Sequence, residues 1–341
     1  MVHLQGGPMP GLEDILAGFM LMSLTLYVLL GGADYGAGIW YLLARGPEAH
    51  AQRQLITTAI GPIWEANHVW LILVVTLLFS AFPLAYARVS ILLHIPLTLL
   101  LTGIVLRGSA FAFRSYDVQQ SPLHRFWGTL FGLSSLITAM FLGIILGTVA
   151  SSHLQNHQEG FVEVFVLPWI QPFPLAVGIW TITLFAFLAS TYMIHETPLP
   201  NLRRLFRRKA LWSLAASGMM AILVLLLTKN YAPGIGHGLL KSSPGWVFLI
   251  LALLGMLAST AGLWTNRFHL ARASAIGYVT AIIWGWGFGQ YPYLIKPDLT
   301  IYNTSAPPST LELLLFALVA GMIVVLPSLL YLFRVFKKIH V

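Results

Sequence analysis

The sequence predicts an all-α integral membrane protein with about nine transmembrane helices. Three observations carry that expectation: a scarcity of charge, long apolar segments at regular intervals, and cations gathered on alternate loops. Only 9% of the 341 residues are charged and 57% are hydrophobic, whereas a soluble domain carries about a quarter charged residues. So few charges cannot cover a globular surface in water. The formal net charge of +8 does not mark a nucleic-acid partner here, because in a membrane protein surplus Lys and Arg mark loops on one side of the bilayer. There is no cysteine, which excludes disulfides, thiolate metal sites and thiol nucleophiles.

Apolar segments place helices at about 13–43, 56–82, 85–106, 123–149, 172–194, 210–229, 246–264, 271–294 and 311–334. Most meet the ~20 residues needed to span a bilayer. Fifteen of the 19 Lys and Arg residues then fall on one side, including Arg45, Arg53, Arg114, the Arg203–Lys209 run and Lys338. The other side holds Arg88, Lys229, Lys241 and Lys296. This asymmetry puts the N-terminus outside and the C-terminus in the cytosol. No loop is long enough for a soluble domain, so residues 1–341 read as a single membrane domain. Nine helices divide naturally into two four-helix bundles plus one extra helix.

Ionisable groups inside spans are rare and point to function. Here they are Asp34, Glu65, His68, His94 and, at a helix end, Arg107. Asp34 sits in GGADYGAG, residues 31–38. Such small residues let another helix approach closely, so the stretch is either a packing face with one tolerated carboxylate or a carboxylate held at a dry interface to exchange protons. Asp34 and Glu65 each lie nine residues from the cytosolic end of their spans, roughly 13 Å into the bilayer. Matched depth on adjacent helices suits steps of a proton path.

Glu65 and His68 stand at i and i+3 in IGPIWEANHVWL, and Asn67 is free to hydrogen-bond a neighbouring helix. Gly61 and Pro62 are placed to loosen the turn before them. Glu-x-x-His is also the ligand spacing of di-iron bundles, but those need a second such motif, which is absent. A bis-histidine haem on His68 and His94 is a further alternative, against a plain hydrogen-bonded histidine at 94. Arg107 is either a cation anchored at the membrane surface or a counter-charge for a carboxylate. Near the other end, Trp284, Trp286, Tyr291 and Tyr293 form an aromatic belt, and the proline-rich stretch up to Pro308 reads as a folded lid. There is no nucleophile motif, phosphate loop or dinucleotide fingerprint.

Together these stretches resemble subunit II of the cytochrome bd-type quinol oxidases. The resemblance rests on GGADYGAG, on IGPIWEANHVWLILVVTLLFSAFPLAYA, on Arg107 with Arg114, and on YPYLIKPDLTIYNTSAPPSTLELLL. It implies a haem-free subunit of a complex that oxidises quinol and reduces oxygen to water in the prokaryotic cytoplasmic membrane. The partner would be a related nine-span subunit I carrying haem b and haem d, with room for a small single-span subunit. This chain would bind no cofactor and would lend Asp34, Glu65, Asn67, His68 and Arg107 to a cytosolic proton path. Two departures stand out: Gly31 replaces an aspartate that many members carry, and His68 stands where glutamate, glutamine or another residue often occurs. The alternatives from other classes are a proton-coupled secondary transporter and a free-standing membrane cytochrome b.

Overall fold

The computed structural model describes residues 11–61, 64–116, 122–151, 154 and 160–338. In chain order the helices are α1 (Leu12–Leu42), α2 (Ala49–Ile60), α3 (Trp64–Asn67), α4 (Val69–Ala81), α5 (Pro83–Leu92), α6 (His94–Tyr116), α7 (Pro122–Ala150), α8 (Phe161–Phe165), α9 (Leu167–Ile170), α10 (Pro172–Glu196), α11 (Pro200–Tyr231), α12 (Pro233–Leu240), α13 (Ser243–Trp264) and α14 (Phe268–Gln290). A two-stranded hairpin, β1 (Tyr293–Ile295) and β2 (Leu299–Thr300), precedes α15 (Pro308–Lys338).

Proline sets many of these boundaries. The residue before proline is pushed out of the helical region, and proline itself suits the first helical turn. Phe82 (φ −132°, ψ 59°) therefore separates α4 from α5, and Ala232 (φ −142°, ψ 57°) separates α11 from α12. Gln171 and Leu199 are likewise extended ahead of α10 and α11.

Eight segments among the described residues are long and apolar enough to cross a membrane. They correspond to eight of the expected spans. The remaining expected span, 271–294, is α14, whose 23 residues reach about 34 Å. Its Gly285, Gly287 and Gly289, interleaved with aromatics, make it less apolar than the other eight. Residues 291–294 leave the helix as a turn and the start of β1. The second span comprises α2, which ends at Ile60 ahead of a turn at Gly61, and then α3 and α4, which together make the 18-residue segment Trp64–Ala81. Pro62 lies outside the described residues. The third is broken at Leu93 and runs on to Tyr116, and α11 starts at Pro200, ten residues before the expected 210.

Helix α1 lies at the centre, in contact with α4, α7, α10, α14 and α15. Its small-residue stretch is what admits them. A Cβ on Gly36 would overlap the Phe185 carbonyl of α10, and one on Gly38 would overlap the Ser135 side chain of α7. Trp40 Nε1 donates to the Ala186 carbonyl of α10 at 2.7 Å. The packing-face reading of GGADYGAG thus holds alongside the burial of Asp34, which is 7% exposed.

Cationic side chains meet at the α1 C-terminal end of the bundle. Arg53 donates to the Ala44 carbonyl, Lys209 to Gln52 and Arg207 to Asn266. At the opposite end the lid folds onto its own bundle. Asp14 Oδ1 accepts from the hydroxyls of Tyr291 and Tyr302 at 3.0 and 3.1 Å, and Ala306 N donates to the Ala81 carbonyl at 2.8 Å. By contrast α15 is scarcely covered: Phe316 is 73% exposed and Ile323 70%.

The contact at Gly36 yields a test. Gly36→Ala should force α1 from α10 and destabilise the protein by about 1–3 kcal/mol, whereas Gly18→Ala on the same helix has nothing within 4 Å to meet. Thermal aggregation of the two purified variants checks this; equal behaviour would remove the close approach as a stabilising feature.

Candidate functional site

Asp34 faces the broken second span from the middle of α1. Asn67, the last residue of α3, donates from Nδ2 to Asp34 Oδ2 at 2.7 Å, and Asn67 is itself buried. The residue of the second span that meets Asp34 is thus Asn67, not the Glu65 expected at matched depth. Asn67 is about 200° around the helix from Glu65, so it faces inward while Glu65 faces out along the line of Ile72 and Phe79.

Arg107 is buried, 2% exposed. Its guanidinium lies over three ring faces: Tyr35 at 4.8 Å, Phe131 at 5.4 Å and Trp64 at 5.8 Å. Nε and Nη2 have no hydrogen-bond partner among the described residues. Desolvated cation–π contacts are worth about 2 kcal/mol, so aromatic faces supply much of what water supplies elsewhere. This is not a surface anchor; the charge is held inside the bundle, within electrostatic reach of Asp34.

His68 packs among Trp64, Tyr27 and Tyr35, with ring centroids 6.1, 5.9 and 6.2 Å away. The two tyrosine hydroxyls share a hydrogen bond of 2.9 Å. Glu65 takes the opposite direction and is exposed on the surface of the chain. The expected i, i+3 pairing with His68 survives only in the backbone, where His68 N donates to the Glu65 carbonyl at 3.1 Å. Asp34, Asn67, His68 and Arg107 thus form one cluster, with Glu65 at its outer edge.

His94 stands apart. Trp64 meets Gly108 of α6, which fixes the level of the cluster on that helix. His94 begins the same helix about four turns away, roughly 20 Å along its axis. Its ring lies against Phe165 at 5.1 Å and its Nδ1 bonds the Ile91 carbonyl. His68 and His94 therefore lie at different depths, since α6 starts at His94 and extends well beyond Arg107. These residues do not fit a haem between the two histidines. Among the described residues no group of three His, Cys, Asp or Glu side chains converges on a metal position.

Sequence reasoning missed the aromatic half of the cluster. Tyr27 lies two helical turns from Asp34 on α1, a spacing that places both on one face, but tyrosines are common enough in membrane helices to hide there. It also passed over a second tier. Arg114, two turns from Arg107 on α6, lies over Tyr41 at 4.7 Å and donates to Thr57 Oγ1 at 2.7 Å. Arg53 lies over the same ring at 5.4 Å. This tier connects the buried cluster to the cation-rich end.

Comparison with known proteins fits this arrangement. The family model for cytochrome bd terminal oxidase subunit II matches residues 12–336. A putative cytochrome bd menaquinol oxidase subunit II of Bacillus subtilis is 21% identical over 95% of this chain and 94% of its own length. A cytochrome bd ubiquinol oxidase subunit 2 of the same organism is 26% identical over 59% of this chain and 58% of its own. The cytochrome bd-I ubiquinol oxidase subunit 2 of Escherichia coli K12 is 24% identical over 54% and 48%. A chain in the structure of bd oxidase from Geobacillus thermodenitrificans shares the fold, with a TM-score of 0.80 at 24% identity over 95% of this chain and 98% of that one. A buried Asp34–Asn67–Arg107 cluster in a helical membrane bundle, matched by one family model along nearly its whole length, makes this chain a member of the cytochrome bd terminal oxidase subunit II family.

Proposed function

We propose that this chain is the haem-free subunit of a bd-type quinol oxidase, and that it supports assembly and guides protons from the cytosol towards an oxygen-reducing haem in subunit I. The relatives' names include menaquinol and ubiquinol oxidases, which supports a quinol as reductant. Reducing oxygen to water consumes protons, so the haem site needs a supply line from one side of the membrane. The observation that carries the reading is the buried hydrogen bond from Asn67 to Asp34 beside Arg107. A carboxylate in that setting can hold and release a proton without contact with bulk water.

The proposed path enters at the cation-rich end, which the cation count assigns to the cytosol. It passes the Arg114–Tyr41–Thr57 tier and reaches Asp34. Arg107 tunes the carboxylate by its charge, Asn67 orients it, and His68 with the tyrosine pair walls the cluster. Glu65 receives or passes the proton at the chain surface. An exposed glutamate facing lipid would cost a few kcal/mol, while Ile72 and Phe79 beyond it on α4 are 62% and 58% exposed. That face therefore suits subunit I, which would cover Glu65 and accept its proton. Membership of the oxidase family supports this reading over the transporter and the free-standing cytochrome b.

Asp34→Asn should lower quinol-driven oxygen consumption by about tenfold or more while the reduced-minus-oxidised haem spectrum of the purified complex stays intact. Glu65→Gln should do likewise. Full turnover in either variant would remove that residue from the path, and loss of the haem bands would point to assembly instead. A separate readout isolates positioning: Asn67→Leu leaves the Asp34 carboxylate without its donor and should cost about 1–3 kcal/mol of stability. Thermal melts of the complex check that, with Asn67→Gln as the conservative comparison.

A further inference from the structure

The lid residue Lys296 is a second buried cation that the proposed proton path does not use. It follows β1 at the end of the bundle opposite the Asp34 cluster and is 9% exposed. Its Nζ donates to the Gly289 carbonyl of α14 at 2.7 Å and lies 5.9 Å from the Tyr293 ring centroid. The side chain runs across the bare face of Gly234 in α12, where an added Cβ would come within 2.8 Å of Lys296 Cδ. Among the described residues no carboxylate pairs with it; burial alone acts on its titration, holding the pKa down to about 8. It is still mainly cationic at neutral pH. A lysine ammonium has three donors, and the carbonyl uses one.

The ammonium lines a cavity of about 680 Å³ whose walls include Gly234, Ser242, Phe288, Tyr291 and Tyr293, none of them acidic. That volume would hold on the order of twenty waters at ~30 Å³ each and falls among small-molecule sites of roughly 300–1,000 Å³. It is large for a bare oxyanion. Phe288 at its apolar rim is 47% exposed, and Leu240 and Trp246, close in sequence to the lining residues Ser242 and Pro244, are 40% and 52% exposed. Below the rim, α13 continues with Val247, Ile250 and Leu254 at 54%, 52% and 55% exposed. Aromatic residues at this level of a membrane protein mark the lipid headgroup zone.

We propose that this cavity binds the headgroup of an anionic phospholipid, with its phosphate on the Lys296 ammonium and its acyl chains along the exposed face of α13. The charge argument selects the lipid class. A headgroup of net charge −1 neutralises the uncompensated lysine. A zwitterionic headgroup brings its own ammonium into a cavity with no acidic wall to receive it. The apolar rim and the helix face below it give the chains a place that a free phosphate has no use for.

The test is native mass spectrometry of the chain purified in its native assembly, stripped of loose lipid and incubated with dioleoyl phosphatidylglycerol or dioleoyl phosphatidylethanolamine. The intact protein and Lys296→Arg should retain a phosphatidylglycerol that Lys296→Met holds about fivefold more weakly, with no such difference for phosphatidylethanolamine. Equal retention in Lys296→Met would overturn the site, and equal retention of the two lipids would overturn its selectivity for anionic headgroups. Displacement of the lipid by inorganic phosphate, with phosphate kept in its place, would overturn a lipid as the occupant. Should Lys296→Met fail to assemble, the unmutated protein still decides. A phosphatidylglycerol with a photoreactive headgroup should label peptides within 234–244 and 288–297, and labelling confined to other peptides would refute the proposal.

Discussion

Much of this structure depends on one constraint, the holding of an arginine and an aspartate inside a bundle that has little water to offer them. A desolvated ion is costly unless something replaces its hydration. Arg107 meets that demand with the faces of Tyr35, Phe131 and Trp64, and Asp34 meets it with Asn67. Five helices must be brought together to do so. Asp34 and Tyr35 come from α1, Trp64 and Asn67 from α3, Arg107 from α6 and Phe131 from α7, while Phe185 of α10 stacks on the far side of Tyr35 at 6.2 Å. The close packing of α1 is thus a condition of the site. Without the bare surface at Gly36 and Gly38, α10 and α7 could not come near enough to wall the charges.

The second span answers to the same constraint. A continuous helix through residues 56–82 would fix the directions of Glu65, Asn67 and His68 at 100° steps from one another and from every residue of α4. On that geometry Glu65 and Asn67, two residues apart, lie about 200° around the axis, so Asn67 meets Asp34 while Glu65 stays at the surface in line with Ile72 and Phe79. The single turn is stabilised by what it touches: Trp64 packs on Phe111 at 5.9 Å as well as on Gly108. Irregular backbone at membrane depth is tolerated where it is buried in protein, and here the cluster supplies that burial.

How much of this was legible in the sequence follows from which signals are local. Apolar run length is local, so eight of the expected spans have counterparts that are long and apolar enough to cross. The proline-led start at 172 was read as found, but α11 begins at Pro200 instead of the expected 210, because the charged Arg203–Lys209 run breaks the apolar signal. Asp34, Asn67, His68 and Arg107 stood out because polar groups are rare in such segments, and the structure brings these four together. The direction of Glu65 was missed because matched depth says nothing about facing, and Glu65 lies about 200° around the helix from Asn67. The distance of His94 from the cluster was not legible, because apolar residues on both sides of Leu93 conceal the break, and the helix then runs on past Arg107. The aromatic cage was hidden for the opposite reason: Tyr27, Tyr35 and Phe131 are ordinary residues whose role exists only where three helices meet.

The two buried cations among the described residues show how the same charge can be put to different uses. Arg107 is planar and weakly hydrated, so ring faces can satisfy it from several sides at once, and it rests in the interior with two nitrogens unbonded. Lys296 is a compact, strongly hydrated charge for which one carbonyl and one distant ring are a poor substitute for water. An arginine in the cage can remain a fixed background charge beside Asp34. Lys296, in the wall of a cavity without acidic residues, has two donors left for a partner from outside the chain, which is what the proposed lipid phosphate would use.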